Sequence, residues 1–288
     1  MAAGLGMRTV LVEPDALCRN LRRIPALENV LGGHTSGIAL AEAVEAELTA
    51  TPSCRLLLGR RAVGLRAGAT GEGATDERVT VTLDDGTRLT APYAVVATGV
   101  GPQQPSDVPW IDAPGRLELP PLWRADGAAA EGRTLLVLGG DRPIGTFLRA
   151  HPETATRLLV AYPAADAYKV VEIADDPRVT LLPVARVALA RVVLAGGGEG
   201  WSAELTGPDG TRRTVTVAAD AAYVSIGNAP TAPPGDLAHG PDGYCPPPEQ
   251  HPRVLIAGDL RSARYQRIMT AMGSGAEAAL RAYYATRS

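Results

Sequence analysis

The stretch Thr134-Leu135-Leu136-Val137-Leu138-Gly139-Gly140-Asp141-Arg142-Pro143-Ile144-Gly145 reads as an apolar strand, a glycine turn and the start of a helix. A short apolar run bounded by such a turn is consistent with a strand buried on both faces, and the glycines after it allow a tight passage into the helix. His151-Pro152 ends that helix, since proline disfavours helical geometry in the residue before it. Units of strand, turn and helix build parallel sheets, so this stretch sets the class as α/β.

Downstream, strands are predicted at residues 157–161 and 179–183. A hairpin follows that joins 201–205 to 214–217 through Pro208-Asp209-Gly210, and a strand at 222–226 closes at Gly227. Upstream, Thr9–Glu13 (TVLVE) is a short strand and residues 38–48 have helical spacing with acids on the far face. Strands at 55–66 and 79–83, the turn Asp85-Gly86 and a return at 88–90 give an antiparallel insert. A buried strand at 93–98 stops at Gly99, and near the end a strand at 253–257 turns at Gly258-Asp259 into an alanine-rich helix at 266–284. Residues 101–121 carry Pro102, Pro105, Pro109, Pro114 and the pair Pro120-Pro121, which predicts a linker or crossover between two domains.

Composition limits the function. A chain of 288 residues, 45% hydrophobic and 20% charged, buries enough surface for two domains. Its net charge of -3 provides no basic face for nucleic acid, and no apolar run is long enough for a membrane span. The first residues lack the pattern of a signal peptide, so a cytoplasmic location is expected. Cys18, Cys54 and Cys245 are widely spaced and are expected to be buried thiols. His34, His151, His239 and His251 show no ligand spacing, so no metal is expected, and no GxSxG elbow supports a hydrolase. Lys169 is the single lysine and so the single candidate for Schiff-base chemistry.

Three segments together bring a family into view. Residues 23–32 (RIPALENVLG) followed by Ser36-Gly37-Ile38-Ala39-Leu40 resemble the IENxxG…SGxxL stretch of thioredoxin reductases. Val95-Val96-Ala97-Thr98-Gly99 resembles the strand end ATG of such flavoproteins. Val254-Leu255-Ile256-Ala257-Gly258-Asp259, with Tyr265, Thr270-Ala271 and Gly273, resembles their AGD…YRQ…TAAG segment, which lies against the flavin. The resemblance covers nearly the whole chain in order, with Ile226-Gly227 and Pro230 in place before the return to the first domain. It implies two dinucleotide-binding-type domains with antiparallel β inserts. The first is a discontinuous FAD-type domain from residues 1–112 and 234–288, and the second an NAD(P)-type domain from 113–233.

The same likeness exposes three departures. A pyrophosphate is held by a glycine loop at a helix N-terminus, roughly 20 residues before an acid that binds ribose. Glu13 suits that acid, but only 12 residues precede it, and Met1 to Met7 resembles the last turn of the phosphate helix, so the first strand and its GxGxxG are expected to be missing. Either the natural protein is longer, or it does not hold FAD in the usual way. In the second domain Gly139 and Gly140 belong to the loop, but Asp141 or Arg142, depending on the register, stands where the central glycine is needed. Arg142 can offset this by binding a phosphate. The following strand ends at Tyr162-Pro163 without the expected acid or arginine cluster, which disfavours productive NAD(P) binding. Third, residues 122–132 (LWRADGAAAEG) match the family's CxxCDG…G segment without a gap, except that Leu122 and Ala125 replace both sulfurs. Disulfide exchange needs a thiolate and a partner sulfur, so it is excluded here.

The residues left for chemistry are few. Asp126 resembles the family's proton donor and suits general acid–base work, while its place in Asp-Gly also suits a plain turn. Asp259 suits either ribityl binding or helix capping, and Thr98, Gly99 and Gly258 suit the flavin or the ordinary needs of strand ends. Three functions fit. In the first, a small metabolite reacts without cofactor by cyclisation, isomerisation or elimination, in a cleft between the domains lined by Trp123, Asp126, Asp259, Tyr265 and Arg267. In the second the chain is an FAD-dependent oxidoreductase or oxidase without CxxC. In the third it is a catalytically silent partner subunit, and a homodimer or partner chain fills a groove in the first domain.

Overall fold

A computed structural model describes residues 1–287 apart from 25, 26, 28, 29, 69–77, 116, 195, 210 and 211. Part of the segment at 23–32 and the turn residue Gly210 therefore lie outside the described residues. In chain order the main elements are β1 (Thr9–Glu13), α1 (Gly37–Thr49), β2 (Cys54–Leu58), β3 (Ala62–Ala67), β4 (Val79–Leu83), β5 (Arg88–Ala91), β6 (Ala94–Val96), β7 (Val100–Pro102), β8 (Ile111–Asp112) and α2 (Gly127–Ala130). They continue with β9 (Thr134–Leu138), α3 (Pro143–Ala150), β10 (Arg157–Pro163), β11 (Val179–Val184), β12 (Arg186–Val193), β13 (Glu199–Thr206), β14 (Arg212–Ala219), β15 (Ala221–Val224), β16 (Asn228–Pro230), β17 (Val254–Ile256) and α4 (Ile268–Ala285). The chain divides into one compact unit of Met1–Gly101 with Ala229–Ser288 and a second of Pro102–Asn228.

The second unit is built around β9. Parallel strands lie in the order β11-β10-β9-β15, and alternate side chains leave the sheet on opposite faces. Leu136 and Leu138 of β9, Leu159 and Ala161 of β10 and Ala222 and Val224 of β15 pack against Val187, Leu189, Trp201, Ala203 and Leu205 of β12 and β13. Leu135 and Val137, with Leu158, Val160 and Tyr162, face Ile144, Phe147 and Leu148 of α3. Covering both faces is what a parallel sheet requires, and it explains why β9 has no alternating polar residues.

The domain limits differ from those expected, 101/102 and 228/229 in place of 112/113 and 233/234. The physical reason is the proline-rich segment. Instead of linking, it packs into the second unit: β8 pairs with Val187 and Ala188, and Ile111 and Leu119 join the core. Sequence reading also passed over β12, whose alanines and arginines have weak strand preference, and two consecutive 3₁₀ turns, Ala164–Lys169 and Val171–Ile173.

In the first unit β1 pairs with β2 in parallel, β3, β4 and β5 form an antiparallel sheet, and β6 pairs in parallel with β17. Leu65, Val79, Val96, Val254, Ile256, Leu260 and Cys245 form its core. Ser36 starts α1 by accepting a hydrogen bond from the Ala39 N–H, and the helix sets Leu40 and Ala41 inward. Helix α4 buries Ser274, Ala278, Ala279 and Ala282, one stripe of its surface. Of the three cysteines only Cys245 is buried; Cys18, in the turns after β1, and Cys54, at the start of the part-exposed strand β2, are half-exposed, which corrects the expectation of three buried thiols. Among the described residues no helix is long and apolar enough to cross a membrane.

Candidate functional site

Strands β6 and β17 run side by side in the register Ala94↔Val254 to Val96↔Ile256, so their carboxyl ends emerge together. In open α/β sheets this is where ligands bind. Thr98 and Gly99 follow the carboxyl end of β6, and Gly258 and Asp259 follow that of β17, on the same edge of the pair. Gly99 (φ 66°) and Gly258 (φ 71°) both take the left-handed backbone that glycine permits, and a Cβ on either would meet nothing within 4 Å. The Thr98 and Gly99 carbonyls accept from the Thr231 hydroxyl at 2.9 and 3.1 Å, and the Gly258 N–H donates to Ser274 Oγ at 2.8 Å.

Asp259 lies inside the 3₁₀ turn Gly258–Arg261, and neither that turn nor α4 receives a side-chain cap, so helix capping does not account for it. Burial pushes its carboxyl above the ordinary range, and nearby Arg267 opposes this only in part. Arg267 and Tyr265 are exposed; Tyr265 is 79% accessible and holds φ 62°, a conformation that bulky residues avoid. Gln266 ties the region together. Its Nε2 donates to the Ser262 carbonyl at 3.0 Å, the Asp259 carbonyl at 3.3 Å and the Tyr244 hydroxyl at 3.3 Å. Sequence reading missed Tyr244, Gln266, Thr231 and Ser274. Tyr244 sits in a proline- and glycine-rich loop without periodicity, and only its closeness to Asp259 in space singles it out.

Glu13 ends β1, whose strand partner among the described residues is β2, and its Oε1 accepts from the Asp15 N–H at 3.0 Å. The other predicted residues belong to the second unit. Leu122 has no exposed surface and packs in the core with Ile144, Phe147 and Leu148, with Ala125 against the same cluster. The exposed Asp126 caps α2 by accepting from the Ala128 N–H at 2.8 Å, the turn role weighed above. Trp123 is half-buried and carries the Arg124 guanidinium 5.0 Å from its ring centre. Trp123 and Asp126 thus belong to one unit, and Asp259, Tyr265 and Arg267 to the other.

The glycine loop of the second unit is closed by its own chain. A Cβ on Gly139 would run into the Ser225 carbonyl and Ile226 Cα, one on Gly140 would lie 2.6 Å from Val170 Cγ1, and one on Gly145 would lie 2.7 Å from Glu172 Oε1. The Asp141 N–H donates to the Ser225 carbonyl at 2.9 Å, and Ser225 Oγ donates to the Asp141 carbonyl at 3.0 Å. Arg142, which like Asp141 stands at the central glycine in one of the two registers, is exposed and takes the N-cap of α3 without a side-chain bond. Val170, Glu172 and the end of β15 therefore pack closely against the glycines of this loop, the tight strand-to-helix passage that glycine permits. Lys169 is engaged by Asp166 at 2.9 Å. Among the described residues no cluster of His, Cys, Asp or Glu is placed to hold a metal ion.

The geometry defines a two-unit α/β protein with dinucleotide-binding-type domains, the first discontinuous. Its fold is that of the thioredoxin reductases. The chain is similar in structure to the thioredoxin reductase of T. acidophilum (16% identity, TM-score 0.72, covering 100% of this chain and 93% of that one). It is similar also to that of Lactococcus lactis (17%, 0.74, 98% and 92%) and to the bacillithiol disulfide reductase of Bacillus cereus (14%, 0.62, 100% and 95%). No protein-family profile and no curated protein matches the sequence.

Proposed function

We propose that this chain binds a small metabolite at the carboxyl ends of β6 and β17 and promotes a redox-neutral reaction on it, a cyclisation, isomerisation or elimination, without cofactor and without thiol exchange. The observation that carries this reading is Leu122, buried in the core, with the partly buried Ala125 packed against the same cluster, at the two positions that the resemblance assigns to the sulfurs of CxxC. A flavin in such a chain would have neither a nicotinamide donor nor a dithiol acceptor within it. Asp259, whose carboxyl keeps its proton to higher pH than an exposed one, would act as the acid, and Arg267 would stabilise negative charge developing on the ligand. Tyr265 would supply an apolar surface.

A second reading is supported by the open space at Gly99 and Gly258 beside a half-buried carboxyl, which suits a polyol chain. If FAD is held, Thr98, Gly99, Gly258 and Asp259 are the residues in position to hold its ribityl part, and it would supply two-electron redox chemistry. The test is the visible spectrum of the purified protein with a thiol–disulfide assay beside it. The first reading expects no flavin band and no disulfide reduction; bound flavin would favour the second, and disulfide reduction would overturn both.

A further inference from the structure

The turn that carries Asp259 is fastened by a group outside the acid itself. Tyr244 is buried, and its hydroxyl accepts from Gln266 Nε2, while the same amide reaches the Asp259 and Ser262 carbonyls. An NH₂ group has two protons, so these three acceptors share them and all must stay close. The fastening closes residues 259–266 into a short loop between β17 and α4. Within it, the Arg264 N–H donates to Ser262 Oγ at 3.1 Å, and Arg267 donates to the Gln266 carbonyl at 2.7 Å. Tyr265 takes a left-handed conformation in the middle of this mesh, a strain that a freely moving loop would relax. A strained, exposed aromatic residue in a turn that also carries a half-buried carboxyl, with the turn fastened at Asp259 and Ser262 by one glutamine, is the arrangement of a preorganised binding turn and not of a plain connection.

We infer that Gln266 and Tyr244 are positioning residues of the first unit's site: they fix the turn that sets Asp259 among its neighbours and presents Tyr265 and Arg267 to a ligand. The inference rests on the reading of that site as the place of binding, but its geometry is testable without knowing the reaction. The charged and titratable groups near Asp259 are Arg267 at the start of α4 and Tyr244 in the loop before β17, with Asp242 near Tyr244 in that loop. Tyr244 is itself pushed up, first by burial and then by Asp242 and Asp259, so it stays a neutral hydroxyl while Asp259 titrates.

The experiment follows the Asp259 carboxyl carbon by NMR through a pH titration in the intact protein, Gln266→Ala, Gln266→Asn and Tyr244→Phe, with thermal unfolding of each. Gln266→Ala is expected to lower the Asp259 midpoint, because a loosened turn admits water to the carboxyl. Tyr244→Phe keeps the buried ring and should lower it less. The shorter amide of Gln266→Asn should restore part of the shift. An unchanged midpoint in Gln266→Ala that still folds would overturn the inference, as would equal midpoint shifts in all three variants that follow only their loss of stability. If Gln266→Ala does not fold, Tyr244→Phe and Gln266→Asn decide: with both midpoints at that of the intact protein, the positioning role is lost. A flavin band in the purified protein would change the reading of the reaction and leave this result standing.

Discussion

Gly139 and Gly140 in the second unit and Gly99 and Gly258 in the first stand at the same kind of place, just beyond a parallel strand, yet the space beside them is used in opposite ways. In the second unit the end of β15 and Val170 fill it, and in the first it is open. Two carboxylates repeat the contrast. Asp176 is bound at 2.8 Å by Arg178, which holds it below the ordinary range, whereas burial holds Asp259 above that range with only partial relief from Arg267. In the second unit Gly139, Gly140 and Asp176 are engaged by their own chain. The first unit keeps an acid that its surroundings leave poorly satisfied, the condition from which binding and catalysis are made.

Substitutions can break this comparison. The largest effect is expected for Gly139→Ala, since the new methyl meets backbone atoms that cannot rotate away; about 3 kcal/mol or more should be lost in urea unfolding. Gly258→Ala meets only the left-handed backbone and should cost about 1–2 kcal/mol. Equal costs at the two glycines would erase the distinction. Arg178→Ala comes next. Arg178 binds Asp176 and also donates to the His151 carbonyl at 2.6 Å and the Leu148 carbonyl at 3.2 Å at the end of α3, so its loss should cost about 2 kcal/mol by the same measurement.

The two acids should give pH dependences of opposite sign. Asp176 is depressed, so its contribution is complete above the ordinary carboxylate value and disappears as pH falls through its lower folded value. Asp259 is raised, so the folded state binds the extra proton and stability declines as pH rises from the ordinary value through the raised one. Asp176→Asn should therefore flatten the acid limb of the stability curve. Asp259→Asn should remove the decline and leave stability at neutral pH equal or higher. Destabilisation by Asp259→Asn at neutral pH would mark that acid as structural. The smallest effect is a gain: Tyr265→Gly should stabilise by about 1 kcal/mol by releasing the left-handed strain while removing the exposed ring.

Sequence patterns revealed what rests on local periodicity and short turns. The run at 134–145 foretold β9, its loop and α3, and the strand ends at Gly99 and Gly258 were visible because adjacent parallel strands stop at glycine. The filling of the glycine loop was not, because Val170 and Glu172 reach it from turns with no periodic signature, and a glycine looks the same in sequence whether it admits a ligand or its own chain. Leu122 was readable as a lost sulfur but not as a core residue. The Tyr244–Gln266 bond joins residues that no local rule connects.

We propose that chemistry in this chain is confined to the first unit and uses neither nicotinamide nor a thiol relay. The most direct test is the visible absorbance of the purified protein before and after addition of NADPH. No oxidised-flavin band and no change on addition are expected. A flavin band that NADPH bleaches would contradict the proposal.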